Sequence, residues 1–261
     1  MTPIHNIPIA EDATVTRCPS CGSTVRRIMR NGTIFDRYEK YGSRDGWRME
    51  EINHLSPEDA EEMKALRSGK KTVALVGMAS ASCSLAPFDD EDVEIWALNE
   101  MHVFPWLKRA SRWFQIHSER SYKRGVAKRG VVGHHDWLKE NPLDIPIYLQ
   151  YHSQRIPKSV AYPLRDVCDI AFGNIRRGEN KIKYFTSTFA YMSGIALLDE
   201  FERVEIYGFE MNDPAEYIRQ KACAEFWIGL LMGKGIEIYL PPNNPLLHSE
   251  LYGGDEQGEG W

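Results

Sequence analysis

The sequence predicts an α/β domain that is built on a mostly parallel sheet with helices on both faces and that follows a small N-terminal appendage. Two patterns predict this class. Continuous apolar runs of strand length, rich in β-branched residues, are typical of strands buried on both faces, and apolar helical stretches separate the later runs. A length of 261 residues allows one large domain with an appendage. We expect the appendage at residues 1–70, the domain at 71–252 and a flexible tail at 253–261.

The composition excludes several classes of protein. Hydrophobic residues make up 43% and charged residues 26% of the chain, which is ordinary for a globular protein and excludes wholesale disorder. The formal net charge of -5 argues against a surface that coats nucleic acid, and leaves the basic run 123–129 as a local patch. No apolar stretch approaches the roughly 20 residues that span a bilayer, so we expect no membrane partner. The odd count of 5 cysteines and the lack of a secretory signal favour a reducing, cytoplasmic location.

The appendage contains half of a zinc-binding motif. Cys18 and Cys21, in the sequence Cys-Pro-Ser-Cys-Gly, form the tight turn that lets two thiolates approach one tetrahedral zinc ion. No second cysteine pair follows at the usual spacing, so His54, an acidic residue or a second chain would have to complete the site. A pair of reduced thiols without metal is the alternative. The sequence Ser-Pro-Glu-Asp at 56–59 then predicts a helix that ends near Gly69, because it supplies an N-cap and acidic residues for the first turn.

Three buried strands open the domain, and each ends in glycine or a polar residue. They are predicted at 72–76, 93–99 and 112–117, and their ends carry Gly77, Asn99 and His117. The carboxyl ends of parallel strands lie at one edge of the sheet, where ligands of open α/β sheets bind. We therefore expect these three residues at a common edge.

The later part of the domain alternates strands and helices. Thr186 and Ser187 precede an apolar helix at 189–198. Further strands are predicted at 146–150, 204–210 and 236–240, with a long helix at 216–232 and a proline-rich loop up to Pro163 that covers a site. His134-His135-Asp136 has the composition of a metal cluster, but adjacent side chains on the extended strand expected there would point to opposite faces.

The loop after the first strand is a candidate phosphate site. Its sequence, Gly-Met-Ala-Ser-Ala-Ser-Cys-Ser-Leu from Gly77, consists of small residues whose backbone N–H groups could approach a phosphate, and Ser80, Ser82 and Ser84 add hydroxyl donors. The loop matches neither the G-x-G-x-x-G fingerprint nor the P-loop. A tight turn without ligand explains the same small residues equally well.

Three polar residues at strand ends are candidates for binding and chemistry. Asn99 could hydrogen-bond a base, ribose or phosphate, or simply cap a loop. His117 could act as general base, because the pKa of histidine lies near neutrality, or could be a structural histidine. Glu210, in an acidic group with Asp213, Glu216 and Glu225, could act as base toward a hydroxyl or hold a divalent ion.

The order of these motifs resembles a known superfamily. The stretches that carry the resemblance are Val76–Leu85, Trp96–Asn99, Phe185–Met192 and Val204–Glu210. Together they are similar to the Rossmann-like bacterial sialyltransferases and the related motility-accessory and pterin-diphosphokinase-like proteins. The stretch 225–242 resembles uncharacterised bacteriophage proteins that share this core. The resemblance covers about residues 72 to 247.

The resemblance implies a nucleotide site and a reaction class. In the sialyltransferases the glycine–serine loop and the strand-end asparagine hold the cytidine nucleotide of the donor, which implies this role for Gly77, Ser80, Ser82, Ser84 and Asn99. Thr186 and Ser187 match a later motif on the nucleotide side. The chain departs from the family at Met78, where an asparagine is usual.

The expected function is therefore a nucleotide-binding transferase, most simply a phage-encoded glycosyltransferase with a nucleotide-sugar donor. His117 or Glu210 would be the base, and a modified nucleobase in DNA, or a glycan, would be the acceptor. Nucleotide diphosphate transfer or hydrolysis with a divalent metal is one alternative. A non-catalytic binder of a nucleotide or a protein, such as a host-defence inhibitor, is another. A homo-oligomer is compatible with each.

Overall fold

The computed structural model describes residues 14–17, 24–30, 33–39, 69–118, 133–173, 175–177, 180–211, 214–242 and 244–248. The cysteine motif at 18–21, the helix predicted from Ser56 and the basic run at 123–129 lie outside these residues, as do Asp213 and the predicted tail. The possible zinc site therefore stays a prediction.

A three-stranded antiparallel sheet lies in the predicted appendage. Its strands are β1 (Thr14–Arg17), β2 (Thr24–Arg30) and β3 (Thr33–Glu39), with β2 in the centre. Thr14 pairs with Arg27 in the first ladder, and Thr24 pairs with Glu39 in the second. These strands were not predicted from the sequence, because their frequent charged residues obscure the β-branched residues that are typical of strands. The predicted cysteine motif falls in the connection between β1 and β2.

The domain is built on a seven-stranded sheet in which every neighbouring pair is parallel. Its strands are β4 (Thr72–Val76), β5 (Val93–Leu98), β6 (Arg112–Gln115), β7 (Ile147–Leu149), β8 (Ser159–Ala161), β11 (Arg203–Tyr207) and β12 (Glu237–Tyr239). The spatial order is β12-β11-β4-β5-β6-β7-β8. The chain thus builds outward from β4 to one edge and returns to the other side of β4. The predicted α/β class and parallel sheet are confirmed.

Helices cover both faces of this sheet. They are α1 (His134–Glu140), α2 (Leu164–Phe172), α3 (Thr188–Leu198) and α4 (Pro214–Gly233), and a two-stranded ladder, β9 (Arg176–Arg177) with β10 (Asn180–Lys181), joins α2 to α3. On β6, Trp113 packs on Trp137 of α1, whereas its neighbour Arg112 pairs with Asp199 at the end of α3. Because neighbouring side chains on a strand point to opposite faces, α1 and α3 lie on different sides.

A buried ion network ties the amino end of β6 to α3. The guanidinium of Arg112 is 2% exposed, donates to Glu94 over 3.0 Å and to the hydroxyl of Tyr148 over 3.1 Å, and also pairs with Asp199. The side chain lies 4.8 Å from the centroid of the Trp96 ring. Pairing with two carboxylates compensates for the loss of water, which a single buried charge could not tolerate.

Several element boundaries differ from the prediction. Strands β5, β6 and β11 end before Asn99, His117 and Glu210, so these polar residues lie in the turns that follow the sheet. The segment that was predicted to be a loop up to Pro163 contains the edge strand β8. The expectation of an extended strand at His134-His135-Asp136 was wrong, because these residues form the first turn of α1. In the described part of the chain, no helix has the length and apolar character needed to cross a bilayer.

Candidate functional site

The direction in which the chain adds strands reverses at β4, and the candidate site lies at the carboxyl edge of the sheet at this reversal. Strand β4 lies between β5 and β11, and the loops that follow β4 and β11 leave in opposite directions. Ligands of open α/β sheets bind outside the carboxyl ends of the strands, at such a reversal. We call the group formed by Gly77, Ser82, Asn99, Gly208 and Glu210 the crevice cluster.

The two loops touch through glycine. The Gly77 N–H donates to the carbonyl of Tyr207 over 2.7 Å, and the Ala79 N–H donates to the carbonyl of Gly208 over 3.0 Å. A Cβ atom on Gly77 would lie 2.2 Å from the Gly208 oxygen, and one on Gly208 would lie 2.4 Å from the Gly77 oxygen. Gly208 also has a φ of 68°, in the left-handed region that glycine adopts without strain. Only glycine at both positions allows the backbones to approach this closely.

Ser82 and Glu210 connect the same two loops through their side chains. The Ser82 hydroxyl accepts from the Gly208 N–H over 2.8 Å and donates to Oε1 of Glu210. Glu210 is 5% exposed, and its second oxygen, Oε2, is buried without a hydrogen-bond partner in the described structure. A buried acceptor without a partner costs about 1–3 kcal/mol, which a hydrogen-bond donor from outside the described residues would offset.

Asn99 presents a second unpaired acceptor at the same edge. It follows β5 in a left-handed conformation, with φ 49°, and is 8% exposed. Its N–H donates to the carbonyl of Phe114, and its carbonyl accepts from Nε1 of Trp113, each over 3.0 Å. The backbone is therefore fixed by β6, while the side-chain Oδ1 is buried without a partner among the described residues. Asn141, also left-handed and buried, instead bonds its amide to the carbonyls of Ile145 and Pro157.

The start of α3 lies at the carboxyl edge as well. Ser187 is the N-cap residue in an extended conformation, but its hydroxyl makes no capping bond and is buried without a partner in the structure described. The first helical turn contacts the loop after β11, because the rings of Phe189 and Phe209 lie 5.0 Å apart. The Thr186 hydroxyl donates to the carbonyl of Arg219 over 3.3 Å and so holds the segment against α4.

The remaining predicted site residues lie on the surface of this edge. Ser80 and Ser84 are exposed, on either side of the buried Ser82. His117 is exposed two residues beyond the end of β6. The two predicted bases differ in burial, because His117 is exposed and Glu210 is buried, and no hydrogen bond joins them among the described residues. Burial raises the pKa of the neighbouring Cys83 thiol.

A cluster of histidine and tryptophan residues was not predicted. His102 lies in the short 3-10 helix (Met101–Val103) that follows Asn99, and its Nε2 is 3.0 Å from Nδ1 of His134. The other ring nitrogen of His134 is 2.9 Å from Oε1 of Gln115, at the end of β6. The His102 ring stacks on Trp137 at 4.5 Å. Asn99 was selected because it is a polar residue at the end of a predicted strand. Including the three residues after each strand end in the same search would have selected His102 as well.

Both histidines of this pair are neutral at neutral pH. Burial lowers the pKa of His102. Burial, followed by smaller contributions from the neighbouring His102, His135 and His117, lowers the pKa of His134 to about 4. In the described residues, no group of three histidine, cysteine or acidic side chains has the arrangement needed to hold a metal ion.

Fold and site together define a Rossmann-like α/β protein with its candidate ligand crevice at the strand reversal. No protein-family model matches the chain, and no curated protein matches it. Among solved structures, the chain is similar to the sialyltransferase CstII from Campylobacter jejuni, determined in complex with a substrate analogue, cytidine-5'-monophosphate. The two share 12% identity over 67% of this chain and 81% of that chain, with a TM-score of 0.42.

Proposed function

We propose that this protein is a nucleotide-binding transferase, most simply a glycosyltransferase that uses a nucleotide-activated sugar. The observation that carries the proposal is the pair of buried, unpaired acceptors in the crevice cluster, Asn99 Oδ1 and Glu210 Oε2. Unpaired buried acceptors are rare and costly, and they are satisfied when a ligand supplies donors. The hydroxyls of a ribose and the exocyclic amino group of a base are such donors. The motif resemblance in the sequence favours a cytidine nucleotide.

The phosphate groups of the donor would lie between the β4 loop and the start of α3. Unpaired backbone N–H groups and the positive end of the helix dipole favour an anion at the N-terminus of α3, where Ser187 has an unpaired hydroxyl. Ser80 and Ser84 are exposed and can turn toward a phosphate. The Ser82 hydroxyl is already bonded to Glu210 and Gly208, so we assign it to holding that carboxylate in the site.

The chemistry proposed for this arrangement is displacement at the anomeric carbon of the sugar. Backbone amides around the phosphate would stabilise the charge that develops on the departing nucleotide. A base at the outer part of the edge, for which His117 and Glu210 are the sequence candidates, would accept the proton of the incoming hydroxyl. The acceptor is a glycan or a modified nucleobase in DNA.

Nucleotide binding is the first test. The full-length protein is titrated with CMP, UMP, AMP and GMP in a calorimeter, and native mass spectrometry shows any nucleotide that co-purifies. We expect one nucleotide to bind at micromolar concentration. In Glu210→Gln an amide N–H can replace the unpaired oxygen and would face the donors of the ligand, so binding should weaken at least tenfold. Glu237→Gln, on an exposed residue of β12, is the control and should bind as the wild type does.

The second test separates transfer from its alternatives. Nucleotide sugars are incubated with the protein, with and without glycan or DNA acceptors, and the products are followed by ³¹P NMR. Release of the nucleotide leaving group, which is CMP from a CMP-sugar and the nucleoside diphosphate from a UDP- or GDP-sugar, supports a glycosyltransferase if it is faster with an acceptor. Release of diphosphate only with a divalent metal would instead identify a diphosphotransferase or hydrolase. Tight retention of an unaltered nucleotide would identify a non-catalytic binder, and lack of any nucleotide binding would refute the proposal.

A further inference from the structure

Three side chains from different parts of the sequence form a hydrogen-bonded chain next to Asn99. Gln115 Oε1 lies 2.9 Å from Nε2 of His134, and Nδ1 of His134 lies 3.0 Å from Nε2 of His102. Gln115 and His134 are buried, whereas His102 is only half-buried. This row of hydrogen bonds thus begins at Gln115, inside the sheet at β6, and ends at His102, at the carboxyl edge.

The order of donors and acceptors along this chain follows from the amide at its inner end. An amide oxygen can only accept, so His134 must carry its proton on Nε2 and donate it to Gln115. Nδ1 of His134 then has a lone pair, which requires His102 to donate from its own Nε2. A neutral His102 therefore keeps a lone pair on Nδ1, for which the described residues provide no partner.

Packing holds the outer histidine in this orientation. The His102 ring is parallel to those of Trp137 and His134, with interplanar angles of 8° in both cases and centroid distances of 4.5 Å and 5.1 Å. Trp137 is fixed in turn by Trp113, whose ring lies 4.4 Å away and whose N–H is bonded to the Asn99 carbonyl. The ring of His102 is thus coupled through packed groups to the backbone of Asn99.

We propose that His102 is the proton acceptor of the transfer reaction and that His134 and Gln115 are the residues that position it and fix its tautomer. This inference rests on the proposed transferase function and replaces His117 as the base. As the acceptor oxygen bonds to the anomeric carbon, its proton passes to Nδ1 of His102. The bond between that carbon and the phosphate oxygen breaks, and its electron pair leaves with the nucleotide. The imidazolium is stabilised by its Nε2–H bond to His134, and the proton then returns to solvent.

The tautomers test the geometry without any substrate. In the full-length protein with ¹⁵N-labelled histidine, two-bond ¹H–¹⁵N spectra distinguish protonation at Nδ1 from protonation at Nε2. We expect both His102 and His134 to be protonated on Nε2 at neutral pH. In Gln115→Met the acceptor is lost and the tautomers of both should become mixed, whereas Gln115→Glu should restore Nε2 protonation. His248→Gln, in the exposed C-terminal segment, is the control. A proton on Nδ1 of His102 in the wild type would overturn the proposal.

Turnover of a nucleotide sugar tests the role in the reaction. His102→Gln should lower kcat by about 10²- to 10⁴-fold, the usual contribution of a general base, with the Kd for CMP unchanged. Gln115→Met should lower kcat less and alter its pH profile, and Gln115→Glu should restore the rate. A wild-type kcat in His102→Gln would overturn the assignment of His102 as the proton acceptor and would leave the proposed function intact. If the wild type neither binds a nucleotide nor turns over a sugar donor, the proposed function fails and His102 has no transfer reaction to serve.

Discussion

Replacing Gly208 by alanine tests the contact between the loops after β4 and β11. Two costs are expected. A side chain at a φ of 68° costs about 1–2 kcal/mol, and a Cβ atom 2.4 Å from the Gly77 oxygen must displace backbone, which costs about 1–3 kcal/mol more. Gly208→Ala should therefore lower the free energy of unfolding by about 2–5 kcal/mol.

Two further variants separate these costs. Gly235 has a φ of 85° but no atom within 4 Å of its Cβ position, so Gly235→Ala carries the conformational cost alone. Gly77 lies outside the left-handed region, and its Cβ would lie 2.2 Å from the Gly208 oxygen, so Gly77→Ala carries the steric cost alone. Urea denaturation followed by circular dichroism gives the three changes in stability. Equal losses for Gly208→Ala and Gly235→Ala, with none for Gly77→Ala, would refute the close contact on which the crevice depends.

Three further perturbations are expected to change stability. The pKa of His134 is lowered from 6.5 to about 4, so between these pH values the unfolded chain binds a proton that the folded protein does not. The free energy of unfolding should therefore fall as the pH falls through this window, by on the order of 3 kcal/mol in denaturant titrations. His134→Gln should remove this dependence. Arg112→Ala leaves Glu94 and Asp199 buried without their cation and should cost about 3–5 kcal/mol in urea titrations, whereas a loss below 1 kcal/mol would contradict a buried network. Gly194→Ala places a Cβ 2.4 Å from the Tyr162 hydroxyl and 2.5 Å from Val167 of α2, and should lower the unfolding temperature by several degrees in calorimetry. An unchanged temperature would contradict these close contacts of α3.

The central strands could be predicted because burial on both faces leaves a clear pattern. β4 (Thr-Val-Ala-Leu-Val) and β5 (Val-Glu-Ile-Trp-Ala-Leu) consist mainly of apolar residues, and the order of strands and helices after them follows the alternation expected for parallel sheets. The carboxyl ends of β5 and β6 were predicted too long, because Asn99 and His117 follow the strands directly in sequence although the backbone has already left the ladder. The N-terminal sheet was not predicted. The arginines of β2 (Thr-Val-Arg-Arg-Ile-Met-Arg) interrupt the apolar and β-branched residues that would otherwise indicate a strand.

Half of the candidate site could be predicted by the same reasoning. The residues predicted at strand ends were Gly77, Asn99, His117 and Glu210. The structure places Gly77, Asn99 and Glu210 at the strand reversal or beside it, whereas His117 is exposed beyond the end of β6. The contact of Ser82 with Glu210 spans 128 positions in the sequence, and no local pattern reports a pairing at that separation. The pairing of His102 with His134 depends on the helical conformation of α1, whereas an extended strand was expected from the sequence at residues 134–136.

Binding of a nucleotide in the crevice cluster is tested by comparing two asparagines. Asn99 and Asn141 are both buried and both have left-handed backbones, so glycine can replace either without backbone strain. Asn141 hydrogen-bonds its side-chain amide within the protein, whereas Oδ1 of Asn99 has no partner among the described residues. Calorimetric titration with CMP should show binding lost in Asn99→Gly, with stability within about 1 kcal/mol of the wild type. Asn141→Gly should lose about 1–3 kcal/mol of stability and keep the wild-type Kd. Unchanged affinity in Asn99→Gly would contradict the account.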